Sequence, residues 1–204
     1  MGVEPTSPCR CDYTMIHFER TQDYALIRQI ITHPRVYAHV SDDYSPKVED
    51  FKPVENDDWW YVLVQDAREI LGLWIVTPHT HCCWEIHTCL LPTAWGRRAK
   101  EAAQLLGPWL WEHLPECVRI VTEVPEYNRA AFLFALQSGM EKYGVNPKAY
   151  LKDGKLQDVI LLGVSRPSKT AGASPDFAST ATRPVHSADN RRELNPQSPA
   201  PEAF

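Results

Sequence analysis

The sequence predicts an α+β domain, with a mixed, mostly antiparallel twisted sheet carrying helices on both faces. Three observations predict it. Residues 59–91 hold three β-rich runs, WWYVLVQ, EILGLWIVT and CCWEIHTCLL, separated by short connections, which is the pattern of an antiparallel meander. After Pro92 the apolar period changes from that of a strand to that of a helix, first over 95–114 and again over 128–139. Strand-like segments follow each of those helices, so the sheet continues beyond the meander and must pass over helical crossovers.

In chain order, residues 1–12 are polar and broken by Pro, a flexible lead. Thr14–Glu19 is expected as a short strand. Asp23 or Thr21 then caps a helix bearing Tyr24, Ile27, Ile30 and Ile31, which His33-Pro34 stops. Val36–Val40 is a second helical piece. Residues 41–57 are acidic, contain two Pro, and read either as a loop framing a site or as plain surface. The meander strands are Trp59–Gln65, Glu69–Thr77 and Cys82–Leu91, joined at Asp66–Arg68 and Pro78–His81. Trp95–Leu114 is one helix with Ala99, Ala102, Ala103, Leu106, Leu110 and Leu114 on one face, and Pro108 is expected to kink or break it. Val118–Val124 is a strand. Asn128–Gly139 is a helix with an Asn cap and a closing Gly. Glu141–Gly144 and Asp158–Val164 supply the last strands, with Asp153-Gly154 as a turn. From 166 to 204 the chain is rich in Pro, Ser, Ala and Thr and has too few large apolar residues to offset ordering entropy, so a disordered tail is expected. The domain reading is therefore 1–12 lead, 13–165 folded domain, 166–204 tail.

Composition narrows the function classes. A net charge of −5 without a long basic run argues against nucleic-acid binding and against a polybasic membrane anchor. No stretch approaches the ~20 apolar residues that cross a bilayer. The N-terminus lacks an apolar signal-like segment, although MGVEPT matches the short myristoylation pattern at Gly2. Six Cys in such a chain read as cytosolic thiols, and a cytoplasmic location is the expectation.

Two stretches make the reading more specific. EIHTCLLP (85–92), followed by Gly96 and an Ala-rich helix, resembles the fourth strand and third helix of the GNAT N-acetyltransferases. VTEVPEYNRAAFLFALQSGMEKYG (121–144) resembles their fifth strand and fourth helix, with Asn128, Ala131, Gly139 and Met140 at the family's N-x-x-A…G-F positions. The combination is also similar to a branch of the family found in bacteriophage and prophage genomes. The resemblance spans nearly all of 13–165. It implies a GNAT-like acyl-CoA N-acyltransferase fold, acetyl-CoA as cosubstrate and an amine of a small molecule or protein as acceptor. By the same resemblance the pantetheine arm of the coenzyme would pair with backbone groups of Cys89, Leu90 and Leu91, and Asn128 would contact it. The physical logic of the anion site stands beside the name. A helix N-terminus presents free N–H groups and partial positive charge, and Gly96, Arg97, Arg98, Ala99 and Lys100 sit at one, with three cations for the phosphates.

The chain departs from the family at defined positions. Its phosphate loop, Q/R-x-x-G-x-G/A, becomes Trp95, Arg98 and Lys100 here. The helix-four Tyr that often protonates the departing thiolate falls at Ala135, which leaves Tyr127 or Tyr143 as possible substitutes. These departures motivate an alternative function: a catalytically impaired GNAT-fold protein serving a phage particle or a regulatory complex, with the tail as partner contact and a virion-associated location. Its location as an enzyme would be cytoplasmic, in the host if phage-encoded.

Acetyl transfer to an amine requires a base that takes the ammonium proton, often through water. Alternation along the third meander strand sets Glu85, His87, Cys89 and Leu91 on one face, so Glu85 and His87 are neighbours there and form the base candidates. The other reading is a structural or solvent-facing pair. His79, His81, Cys82 and Cys83, and separately Cys9-x-Cys11, match zinc spacings poorly, and no metal is expected. The Trp cluster (59, 60, 74, 84, 109, 111) is read as core before it is read as an acceptor pocket. An acidic rim at 41–57 would favour a cationic acceptor by steering.

Overall fold

The computed structural model describes residues 15–67 and 69–168. The lead, Gly2, Cys9, Cys11 and all but the first three residues of the tail lie outside the described residues. The elements are β1 (His17–Thr21), α1 (Tyr24–Ile31), α2 (Pro34–Val40), β2 (Trp60–Gln65), β3 (Ile70–Thr80), β4 (Cys83–Leu90), α3 (Arg97–His113), β5 (Arg119–Pro125), α4 (Arg129–Gln137), β6 (Glu141–Lys152) and β7 (Lys155–Ser165). They form a seven-stranded sheet in the order β1-β2-β3-β4-β5-β7-β6, antiparallel everywhere except between β4 and β5.

Alternation along the central strands divides the core into two layers. Tyr61, Leu63, Leu73 and Cys89 point to one face, where Ile27, Ile30 and Ile31 of α1 and Val36 of α2 cover them. Val62, Val64, Trp74, Ile86, Leu90 and Ile120 point to the other, beneath Leu106 and Leu110 of α3 and Ala135 of α4. A strand shift of one residue would exchange the two sets, so the apolar pattern pins the register.

Local chemistry sets the ends. Of the two cap residues expected for α1, Asp23 makes the cap, its Oδ1 accepting from Leu26 N at 3.0 Å. Thr21 Oγ1 accepts from Asp23 N at 3.1 Å. Pro34 does not only stop α1 but opens α2, where a missing N–H costs nothing. Helix α3 begins at Arg97 and not at Trp95, because Gly96 stands at φ 93°, ψ −128°, a conformation essentially confined to glycine. The expected break at Pro108 does not occur: α3 runs unbroken through it. Proline still withholds an N–H from the Gln104 carbonyl, and the buried Leu106 and Leu110 on either side hold the helix to the sheet.

The last hairpin is longer than the sequence suggests. Strands β6 and β7 meet at Asp153 (φ 51°) and Gly154 (φ 70°), the two-residue turn that a right-twisted hairpin favours. The register of β6 shifts between Asn146 and Tyr150, around Pro147 and Lys148, and this irregularity hid the strand's second half. Gly72 answers a close approach: a Cβ there would sit 2.4 Å from the Cys89 carbonyl oxygen.

Candidate active site

Strands β4 and β5 are the parallel pair, and they separate. Their register covers only Cys83↔Arg119, Trp84↔Ile120 and Glu85↔Val121. One step further, Thr122 Oγ1 donates to the Ile86 carbonyl at 2.9 Å and closes the apex of the splay. Beyond that clasp the edge of β4 faces an opening. Leu91 N bonds back to Leu71 O at 2.8 Å, so the backbone groups of odd-numbered residues turn to β3 and those of Thr88 and Leu90 turn to the opening. Of the trio expected to pair with a coenzyme arm, only Leu90 therefore presents its backbone there; Cys89 and Leu91 do not, and Thr88 joins it.

The splay opens into a cavity of about 940 Å³ whose walls include His87, Thr88, Leu90, Gly96, Ala99, Thr122, Asn128 and Ala135. At its outer end stands the start of α3. No side chain caps this helix, and an added Cβ at Gly96 would meet nothing within 4 Å, so the first N–H groups of α3 lie beside open space. Arg97 and Lys100 are exposed there, Arg97 within 3.7 Å of Glu101. Arg98 is engaged elsewhere. Its guanidinium bridges Asp66, at 2.7 Å, and Glu69, and the Asp66 side chain is fully buried. Both carboxylates hold the guanidinium more firmly protonated than usual.

Trp95 holds the residue before this glycine. Its indole N–H donates to the Leu90 carbonyl at 2.9 Å, with the Arg35 guanidinium 4.5 Å above its ring. Asn128 Oδ1 accepts from Ala131 N at 3.1 Å and caps α4, and the residue lines the cavity.

The structure brings Glu85 and His87 together, Oε1 and Nε2 being 3.5 Å apart. Their side chains are 20% and 44% exposed respectively, so the pair lies at a wetted rim and not in the core. Glu123 shares that face and also borders the cavity.

Tyr127, expected as the acid, lies in the turn before α4 and outside the cavity wall. Its ring centroid lies 6.2 Å from that of Tyr150 of β6, which does line the cavity. Burial raises both phenols above their ordinary range, and in Tyr150 the neighbouring Tyr127 adds to the rise. Sequence reasoning missed Tyr150, because it lies in the irregular half of β6 and no motif marks it. Tyr143 lies half-exposed on β6, under the Arg119 guanidinium at 4.9 Å.

Residues 41–57 frame the α1–α2 side of the cavity and are firmly anchored. Arg28 donates to the carbonyls of Val48, Glu49 and Phe51 at 2.8, 3.3 and 3.1 Å. Tyr37 donates to Pro46 O, and Tyr61 bonds to both N and O of Val54. Asp43 takes the N–H groups of Asp153 and Gly154 at 2.8 and 2.7 Å, so one acid of the expected rim holds the β6–β7 turn. Among the described residues no group of three His, Cys, Asp or Glu stands close enough to hold a metal, and no helix is long and apolar enough to cross a membrane.

This sheet, split between its fourth and fifth strands with helices on both faces, is the GNAT acyl-CoA N-acyltransferase fold. Solved structures bear this out. A spermidine N-acetyltransferase from Vibrio cholerae, in complex with CoA and spermine, superposes with a TM-score of 0.62 at 15% identity, over 74% of this chain and 95% of that one. A probable acetyltransferase of the GNAT family from Chromobacterium violaceum gives 0.59 at 17% identity, over 81% and 96%. No family model matches the sequence, and no curated protein matches it.

Proposed function

We propose that this chain is an acetyl-CoA-dependent N-acetyltransferase that acts on an amine. The observation that carries the reading is the continuity of three features: the start of α3, the free edge of β4 and the Glu85–His87 pair all border one cavity or its rim. The CoA complex of the Vibrio cholerae neighbour supports a coenzyme in such a cleft, and its spermine supports a cationic amine acceptor.

The N–H groups opening α3 hold the pyrophosphate, with Arg97 and Lys100 supplying charge. Arg98 is no part of this, being committed to Asp66 and Glu69. Thr88 and Leu90 pair with the pantetheine arm as an added strand would, and Asn128 donates its amide hydrogens to it. Glu85, helped by His87, removes the ammonium proton through water, so that the neutral amine attacks the thioester carbonyl. A C–N bond forms, the C–S bond breaks, and Tyr150 returns a proton to the departing sulfur.

The test is calorimetry and thermal shift with acetyl-CoA, followed by thiol release with a panel of amines including spermidine. Saturable binding and amine-dependent thiol release are expected; an absence of both heat and thermal shift would overturn the reading. A second reading is a GNAT-fold phage assembly or regulatory protein without turnover. It is favoured by the Trp95 indole on Leu90 O and by the engagement of Arg98. Binding without thiol release from any amine, together with recovery of the protein in particles, would select it.

A further inference from the structure

Three cations stand at the start of α3, yet none of them borders the cavity. Its wall takes Gly96 and Ala99 from that turn and leaves out Arg97, Arg98 and Lys100. The Arg and Lys residues that do border it lie elsewhere: Arg35 on α2, and Lys52 in the segment 41–57. Among the described residues Glu123 is the one carboxylate in the wall, and none of the acids of 41–57 belongs to it. A chain of net charge −5 therefore gathers positive charge around its cleft.

Arg35 is the cation placed where a coenzyme is most highly charged. Its guanidinium carbon lies 4.5 Å from the centre of the Trp95 ring. Trp95 is followed by Gly96, the residue from which α3 starts. His39 comes to the same indole, with ring centroids 6.4 Å apart. Residues four apart share one side of a helix, so this side of α2 is the one turned to Trp95. The indole face attracts a cation but offers its N–H groups no lone-pair acceptor. Among the described residues the exposed Arg35 side chain has no hydrogen bond and no carboxylate partner. Arg98 is the contrast, since Asp66 and Glu69 both take its guanidinium. A guanidinium steadied by an aromatic ring, with its donors unspent, suits two-point recognition of a phosphate.

We infer that Arg35 holds a phosphate of the coenzyme from the α2 side of the cleft, beside the N–H groups that open α3. It makes the direct cation contact that Arg98 does not. The inference rests on the coenzyme reading above and adds to it a binding residue that lies outside the phosphate loop.

The experiment is calorimetry of the full chain with CoA and with dephospho-CoA, at low and at raised salt, on the parent, Arg35→Met and Arg35→Lys. Arg35 is exposed and methionine favours a helix, so the Met variant is expected to melt in urea as the parent does. Its affinity for CoA is expected to fall about tenfold, the scale of one hydrogen bond to a charged group. Its binding should also depend less steeply on salt, because one screened charge contact is gone. Arg35→Lys keeps the charge and is expected to keep the salt dependence. An equal loss with CoA and dephospho-CoA puts the guanidinium on the pyrophosphate; a loss confined to CoA puts it on the ribose phosphate. Unchanged CoA affinity in Arg35→Met overturns the inference and leaves the coenzyme reading intact. So does a loss with the parent's salt dependence, which would mean that Arg35 only steadies Trp95. If the parent itself binds no CoA, the coenzyme reading falls and the inference falls with it.

Discussion

Trp95 donates its indole N–H to the carbonyl of Leu90 at 2.9 Å, across the turn that joins β4 to α3. That carbonyl is one of the few backbone groups of β4 facing the splay. The indole thus competes with any ligand that would pair there as an added strand. Trp95→Phe keeps an aromatic ring beside Arg35 and removes the competing donor. Stability is expected to fall by about 1 kcal/mol, the usual net value of one hydrogen bond. Affinity for CoA is expected to rise severalfold. Denaturant titration and calorimetry on the same preparation check both; weaker CoA binding would instead make the indole a direct contact of the ligand.

The three cations at the start of α3 divide into two roles. Arg98 offsets the fully buried Asp66 carboxylate. Removing one partner of such a pair leaves a buried charge, so Arg98→Met is expected to lose about 3 kcal/mol in urea melts. Arg97 and Lys100 are exposed. The double variant Arg97→Ala/Lys100→Ala is expected to melt within about 0.5 kcal/mol of the parent. Its CoA affinity should drop about tenfold and become less sensitive to added salt, as loss of screened charge contacts requires.

Glu85→Gln and His87→Ala test the base. The pair sits at the cavity rim, away from the start of α3, so CoA affinity is expected to stay within twofold. Turnover is expected to fall by about 10²- to 10⁴-fold in the Gln variant, the usual contribution of general base catalysis. Thiol-release kinetics under saturating thioester separate the two effects. A Gln variant with unchanged turnover would return the pair to a surface role.

Cys89 links stability to alkaline pH. It is fully buried under α1, and burial pushes its thiol from 9.0 up to about 12. Below pH 9 both folded and unfolded chains keep the proton, and its contribution is complete. Between 9 and 12 the unfolded chain loses the proton while the folded one keeps it, so stability declines as pH rises. Cys89→Ala is expected to flatten that decline in urea midpoints measured from pH 8 to 11. Cys117, pushed to about 11, should leave a residual slope.

Much of the fold is legible in the residues themselves. The meander, the caps at Asp23 and Asn128, the Asp153-Gly154 turn and the Glu85–His87 juxtaposition follow from rules of period two, of helix ends and of turn chemistry. These act over a few residues, so a linear reading captures them. The second half of β6 was not legible, because Pro147 and Lys148 interrupt the alternation that marks a strand. Helix α3 was legible as one segment, but its passage through Pro108 without a break was not, since packing of Leu106 and Leu110 outweighs the local preference.

What the chain determines by itself is therefore which segments become strands and helices and which faces they bury. Only the tertiary structure decided how the site is assigned. It turned Arg98 from the anion site to Asp66, 32 residues away, and set Trp95 on Leu90 O. It also brought Tyr150 beside Tyr127 and into the wall of the cavity. The reason is physical: such contacts join residues far apart in sequence, and their energies depend on burial and distance, which no local pattern encodes.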